Sequence, residues 1–390
     1  MPINLIYLDH HATTPVDPRV FAASTPYFLE DFGNPSSLSH EFGRRARDAV
    51  ERSRNAVAQL VNAADPRDIV FTSGATEACN LAIKGILAAG QPKIEHVITS
   101  MIEHRAVLEP IERLAREGVR ATFLKPDAWG MIDPGDIEEA IDDRPTLVAI
   151  MAANNEIGVL PAIERIGRIC RSRGALFFVD GAQAAGKIAL DVQACAIDLL
   201  ALSAHKFYAP KGIGALYARR EARRRMRPML DGGGQEGGLR AGTVAVPLVV
   251  GMGAAAAIAS QEMAEESARI RSLRDRLEAG LAERIPDLKR NGHQTERLAG
   301  NLSVSFPGVD GDALLLALRT IAVSSGAACH TADPRPSHVL RAIGLDDDLA
   351  RATLRFGIGR FNTQEDIDCA IEEVARVVLE LRRRKGIGRS

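Results

Sequence analysis

Aromatic residues are scarce in this chain, 4% of its 390 residues with a single tryptophan, and neither sign of charge prevails, with 49 lysines and arginines against 50 aspartates and glutamates. A net charge of −1 leaves no global field, so nucleic acid and anionic membrane are excluded as electrostatically attracted partners. No apolar run reaches the length of a bilayer span. The longest, Val244 to Ala259, contains Pro247 and is largely glycine and alanine, the composition of a buried helix. The N-terminus has no basic stretch followed by a long apolar one, so the expected compartment is the cytoplasm. There are only five cysteines, Cys79, Cys170, Cys195, Cys329 and Cys369, an odd number never paired as Cys-x-x-Cys; neither a disulfide framework nor a structural zinc site is expected. The nine histidines fall in no ligand spacing, so no metal is expected either, and His10-His11 reads as structural.

What the chain does have is apolar residues, 46% of the total, enough for two or three domains' worth of core. From about Arg44 to Tyr217 amphipathic helices alternate with short apolar strands. Ala49, Val50, Val57, Leu60 and Val61 keep helical spacing, and the strand Ile69 to Thr72 follows the Asp65-Pro66 turn. The unit recurs with a strand at His96 to Thr99, a helix through Val107, Leu108, Ile111 and Leu114 stopped at Gly118, and a strand at Val119 to Leu124. Leu147 to Met151, a helix opened by Pro161 and ended by Gly174, and the all-apolar Ala175 to Val179 complete the series. Strands that are apolar without alternation are buried on both faces, which predicts a mainly parallel sheet wrapped by helices, an α/β fold. After Gly232 to Gly234 the rhythm changes. Helices through Ile270 to Leu281 and Ile367 to Leu381, with strands at Leu302 to Phe306 and Thr353 to Ile358, predict a smaller α+β domain. The expected division is a large domain at 15–259 and a small one made of 1–14 and 260–390. The basic run Arg382 to Lys385 reads as a solvated helix end that complements the helix dipole.

Three stretches carry chemistry. In Thr72-Ser73-Gly74-Ala75-Thr76-Glu77 a strand turns through glycine directly into a helix, whose free N–H groups form an anion cradle. No Gly-x-Gly-x-x-Gly fingerprint is present, so a dinucleotide is not implied. Asp180 closes the buried strand before Gly181-Ala182-Gln183, where a carboxylate needs a cationic partner. Lys206 follows the apolar strand ending at Leu202-Ser203-Ala204-His205, where loss of solvation favours the neutral amine that forms an imine with an aldehyde. A phosphate cradle, an acid for a pyridinium nitrogen and an imine-forming lysine on one sheet edge are the three anchors of pyridoxal 5′-phosphate.

On those residues the chain resembles the cysteine desulfurases of the NifS/IscS type, within the aspartate-aminotransferase-like fold (fold type I) of pyridoxal-phosphate-dependent transferases. The likeness runs through Tyr7 to Pro15, Gly33-Asn-Pro35, Phe71 to Glu77, Glu103-His104, Asn154 to Gly158, Asp180 to Gln183, Ser203 to Lys206, Arg240 to Thr243, Ser324 to Cys329 and Leu354-Arg-Phe356. The resemblance implies that Lys206 holds the cofactor covalently, Asp180 pairs with the ring nitrogen, Gln183 bonds the ring hydroxyl and His104 stacks on the ring and moves protons. It implies Ala75, Thr76, Ser203 and His205 as phosphate ligands, joined by Thr243 from the partner subunit of a homodimer. Asn155 and Arg355 would face the substrate, L-cysteine, the guanidinium gripping its carboxylate, with Asn34 a further candidate.

Cys329 lies in the small-residue and turn-rich stretch Ser324 to Ser337, which predicts an exposed loop, whereas the other four cysteines are expected to be buried spectators. By resemblance Cys329 attacks the substrate sulfur, leaving alanine and a persulfide destined for an acceptor such as an iron–sulfur scaffold protein; His330 stands beside it to help hold the thiolate. Departures from the family pattern are Ala204 in place of glycine, Gly181 in place of alanine, and His330 itself. The sequence given ends at Ser390, without the longer tail of housekeeping members, which leaves the acceptor open. The same scaffold also serves selenocysteine lyases and aminotransferases, and a sulfur-carrying partner of an assembly is the non-enzymatic alternative.

Overall fold

Apolar strands without alternation need cover on both faces, and the computed structural model, which describes residues 5–88, 93–325 and 336–386, supplies it. Seven strands form one sheet in the order Ile69–Thr72, Gly214–Ala218, Leu199–Ser203, Leu176–Asp180, Thr146–Met151, His96–Ser100, Arg120–Leu124. The last five are parallel to one another, while Gly214–Ala218 is antiparallel to both its neighbours. Every residue of the first six is buried; Arg120–Leu124, at the edge, is only half covered. Successive side chains serve opposite faces, so Phe177 and Val179 join one hydrophobic cluster and Leu176 and Phe178 the other. Helices Glu41–Leu60 and Ile163–Arg173 cover the first face and Ala75–Leu87 and Arg105–Arg116 the second. Gly174 ends Ile163–Arg173 in the left-handed conformation at φ 68° that favours glycine.

The apolar run that starts at Val244 belongs to a 39-residue helix, Val246–Arg284, longer than the run itself. Its first half is apolar and long enough to cross a membrane on length and composition alone, yet Val249, Met252 and Ala256 are buried in the first cluster. From Ile270 onward the helix changes partners: Leu277 and Leu281 pack with Leu302, Val304, Phe356 and the closing helix Gln364–Arg384. A single helix therefore runs through the expected boundary at 259/260. The second region holds a four-stranded antiparallel sheet, Ser324–Ser325, Thr353–Gly357, Asn301–Ser305, Lys289–Asn291. Ile6–Tyr7 pairs in parallel with Ile321–Ala322, and Leu8 sits in this second core.

Two expectations need correction. Cys79 and Cys170 are buried, but Cys195 is half-buried and Cys369 exposed, because Cys369 lies on the solvent side of the closing helix, off the stripe of Ile367, Ile371 and Val374. The run from Arg382 is not uniformly solvated either: Arg382 is buried and its guanidinium donates to the carbonyls of Pro307 and Pro286 at 3.1 and 2.9 Å.

Candidate active site

In a parallel sheet the carboxyl strand ends and the turns that follow them lie on one edge. Here that edge opens onto a cavity of about 800 Å³. Thr72 hands over through Ser73 and Gly74 to helix Ala75–Leu87, which has no side-chain cap at its start. Glu77 reaches back to accept the Ser73 N–H at 2.7 Å and is held by Arg240 at 3.0 Å. Ala75 and Thr76, whose first-turn amides are beyond reach of any intrahelical carbonyl, line the cavity. The turn is tightly enclosed: a Cβ on Gly214 would lie 2.5 Å from the Leu202 carbonyl oxygen and 2.6 Å from Gly74 Cα.

Strand Leu199–Ser203 runs into a single 3₁₀ turn, Ala204–Lys206. Lys206 Nζ donates to the carbonyls of His11 and Ala12 at 2.6 and 2.8 Å. Burial, reinforced by the Arg355 charge, lowers its pKa to about 8 against the opposing pull of Asp180 and Asp9, so a useful fraction of neutral amine exists near neutral pH. Asp180 is 6% exposed, and its Oδ1 accepts the Ala182 N–H at 2.9 Å. Burial raises its pKa, countered by His104 and Lys206. His104 caps helix Arg105–Arg116, its Nδ1 accepting the Ala106 N–H at 3.1 Å. Burial lowers its pKa, so the ring is neutral near pH 7 with its proton on Nε2.

Arg355 sits mid-strand in Thr353–Gly357. Its guanidinium donates to the Asn155 carbonyl at 2.8 Å, to Asp9 Oδ1 at 2.8 Å and to Ser324 Oγ at 2.7 Å, while its buried Nε has no partner. Gln183 Nε2 donates to the His11 carbonyl at 2.8 Å, and His11 Nδ1 meets Gln183 Oε1 at 3.1 Å. His205 Nδ1 pairs with Thr13 Oγ1 at 3.0 Å.

Ala75, Thr76, His104, Asn155, Asp180, Gln183, Ser203, His205, Lys206 and Arg355 all line this one cavity. Two expected residues do not: Asn34 is exposed, its Oδ1 accepting the Ser36 N–H at 2.9 Å, and Thr243 is exposed after a glycine. Cys329 and His330 lie outside the described residues, but both flanks of that segment, Ser324-Ser325 and Pro336, line the cavity. Several cavity residues had been assigned no role from sequence. Asp9 orients Arg355; Glu156 accepts a hydrogen bond from Ser337; His338 Nε2 meets the Glu103 carbonyl at 3.0 Å. Behind them Glu103, 1% exposed, accepts from Ser100 Oγ at 2.6 Å, and burial raises its pKa to about 8. The only sequence signal for Asp9 and Glu103 was membership of the matched motifs. Among the described residues no group of histidine, cysteine and carboxylate side chains is arranged to hold a metal ion.

The sequence profile of the class-V aminotransferases matches residues 6–369. The cysteine desulfurase IscS of Shewanella sp. (strain MR-4) is 51% identical over 97% of this chain and 93% of its own length. Among solved structures, a NifS-like protein superposes with a TM-score of 0.90 at 34% identity, covering 97% of this chain and all of its own. SspA in complex with cysteine superposes at 0.81 with 36% identity, covering 92% of this chain and all of its own. The expected fold, a type I pyridoxal-phosphate transferase architecture, and the expected kinship both hold. The chain belongs to the class-V aminotransferase family and, within it, to the cysteine desulfurases of the IscS and NifS type.

Proposed function

We propose that the chain removes sulfur from L-cysteine, giving L-alanine and a persulfide on Cys329, with pyridoxal 5′-phosphate held in the 800 Å³ cavity. One observation carries the reading: Asp180, Lys206, Arg355 and an uncapped helix start converge on that cavity. The residues fit the cofactor. Asp180 is a buried carboxylate whose protein hydrogen-bond partner is a single backbone N–H, which a pyridinium N–H would complement, and the enclosed turn at Gly74 leaves amides to a phosphate. When bound, the cofactor supplies an aldehyde for amines and an electron-withdrawing ring.

The protein's own groups then divide the work. Lys206, with its lowered pKa, would hold the cofactor through its aldehyde and, as a free amine, could carry a proton. His104, neutral with hydrogen on Nε2, can give and retake a proton at that atom. Arg355, which lines the cavity, would grip the substrate carboxylate with its guanidinium. The Cys329 thiolate attacks the substrate sulfur; the S–S bond forms as the C–S bond breaks, and the electron pair left on carbon takes up a proton to complete alanine. Ala75, Thr76, Ser203 and His205 would hold the phosphate, Gln183 the ring oxygen, and Asn155 both ring and substrate.

Thr243, exposed on its own chain, suits the site of a second subunit in a homodimer. The exposed Phe21, Phe28, Leu29 and Phe32 support such an association. The same reading takes 15–259 as the cofactor-binding domain and 1–14 with 260–390 as the smaller one. It places the enzyme in the cytoplasm and gives it a sulfur-acceptor protein, such as an iron–sulfur scaffold. The test is product analysis from L-cysteine with a reductant present. Alanine with one sulfide per turnover is expected; keto acid would indicate an aminotransferase, preference for selenocysteine a lyase, and no product a carrier.

A further inference from the structure

Lys187, half-buried and outside the lining of the main cavity, places its Nζ 3.0 Å from Gln183 Oε1. Gln183 Oε1 thus accepts twice, from Lys187 and from His11 Nδ1 at 3.1 Å, while Gln183 Nε2 gives one N–H to the His11 carbonyl at 2.8 Å. We propose that Lys187 and His11 are positioning residues that lock the Gln183 amide with its remaining N–H directed at the cofactor's ring oxygen, an inference that rests on the cofactor reading above.

The lock is over-determined. Were the amide flipped, its NH₂ would face the Lys187 ammonium and its oxygen would face the His11 carbonyl oxygen, two mismatches at once. Burial holds the His11 ring neutral, and because its Nδ1 must donate to Gln183, its buried Nε2, which has no partner, is the unprotonated atom. Lys187 also lines a small space of about 30 Å³ shared with His10, Tyr208 and Glu266, room for about two waters. Burial lowers its pKa to about 7, with Lys206 and Arg355 pushing the same way and Glu266 opposing. Loss of that proton does not release the lock, because the neutral amine still has an N–H to give. Two alternative roles, core packing and a direct charge effect on the ring, make different predictions.

A hydrogen bond donated to the ring oxygen stabilises its negative charge, so removing the donor raises the pH at which the visible band of the bound cofactor titrates. In the holoenzyme, Gln183→Ala should raise that midpoint by about one pH unit. Lys187→Met should raise it by about half as much, Lys187→Arg by less than about 0.2, and Lys187→Met should add nothing in the Gln183→Ala background. A shift by Lys187→Met that persists undiminished without Gln183 would overturn the lock in favour of direct charge. No shift by Lys187→Met where Gln183→Ala shifts the midpoint would overturn it in favour of packing. No shift by Gln183→Ala itself would remove the cofactor contact, failing the site reading and the lock together. Should Lys187→Met not take up cofactor, His11→Leu provides the same comparison with the same expected sign.

Discussion

Replacing Arg355 by lysine tests whether this side chain recognises the substrate carboxylate. The guanidinium is pinned by three acceptors from distant parts of the chain, Asp9, Ser324 and the Asn155 carbonyl, and its ion pair with Asp9 is sheltered, at 13% and 18% side-chain exposure. Lysine could keep the pair with Asp9, so the fold should survive. It could not also present a second, co-planar N–H to a carboxylate, because an ammonium is a point donor without the fork geometry. A charge-assisted hydrogen bond lost from such a site costs about 1.5–3 kcal/mol, roughly 10- to 150-fold in kcat/KM. Most of this should fall on KM, since the contact exists before the chemistry begins. Alanine formation at varied L-cysteine measures it, with the cofactor spectrum as a control for site integrity. Cysteamine, which lacks the carboxylate, provides the second arm: the preference for cysteine over cysteamine should shrink by the same factor. A KM within twofold of the parent and an unchanged preference would refute the assignment.

Cys329→Ser should bind cofactor and cysteine, yet form no persulfide detectable by mass spectrometry and release no alanine on repeated turnover; sustained alanine would favour a lyase that needs no thiol. Asp180→Asn should retain cofactor but lose turnover by roughly 100-fold or more, and activity within threefold of the parent would rule out its pairing with the ring nitrogen. For Glu103, whose folded-state pKa is raised to about 8, the native protein binds more protons than the unfolded chain between the carboxyl's ordinary value and pH 8, so this group's contribution to stability declines as pH rises through that window. Glu103→Gln, which keeps the Ser100 contact without the titrating proton, should therefore gain on the parent in urea unfolding between pH 6 and pH 8.5; a pH-independent difference would contradict the buried, neutral acid.

The parts of the fold that were legible in the sequence share one physical property, a local pattern with one structural solution. Leu176–Asp180 has four apolar residues without alternation and then an acid, and a strand buried on both faces with its carboxylate on the sheet edge satisfies that order. Lys206 and the Ser73-Gly74 turn follow strands in the same way. Arg355 gave no such signal: it lies within an ordinary strand, and its partner Asp9 is 346 residues away, so only the fold brings them together and only the resemblance pointed to it. The extent of the long helix was missed for the opposite reason. Its apolar run ends at Ala259, but no proline or glycine breaks the chain before Ile270, Leu273, Leu277 and Leu281 resume helical spacing on a different core, so one helix serves two clusters. Cys369 was read as buried because cysteine usually is, but its position on the helix stripe, not its type, decides exposure.

That two-core arrangement sets the geometry of the site. Asp180 ends a strand of the seven-stranded sheet and Lys206 lies in the turn after its neighbour, whereas Arg355 belongs to the four-stranded sheet, so the span between the proposed cofactor anchor and the proposed carboxylate grip depends on how the two cores are tied. The tie is close to both groups. Tyr208, two residues past Lys206, accepts the backbone N–H of Arg360 at 2.5 Å and lies under its guanidinium at 4.3 Å. Arg360, five residues past Arg355, pairs with Asp17 at 2.6 Å and with Glu266 on the long helix at 2.8 Å. Arg360, Asp17 and Glu266 are each less than one-seventh exposed at the side chain, at 11%, 2% and 13%, so the network is little weakened by water and salt. Short tethers on both sides of a charged, sheltered clamp leave Lys206 and Arg355 little freedom to drift apart, which is what a substrate held at one end by its amine and at the other by its carboxylate requires.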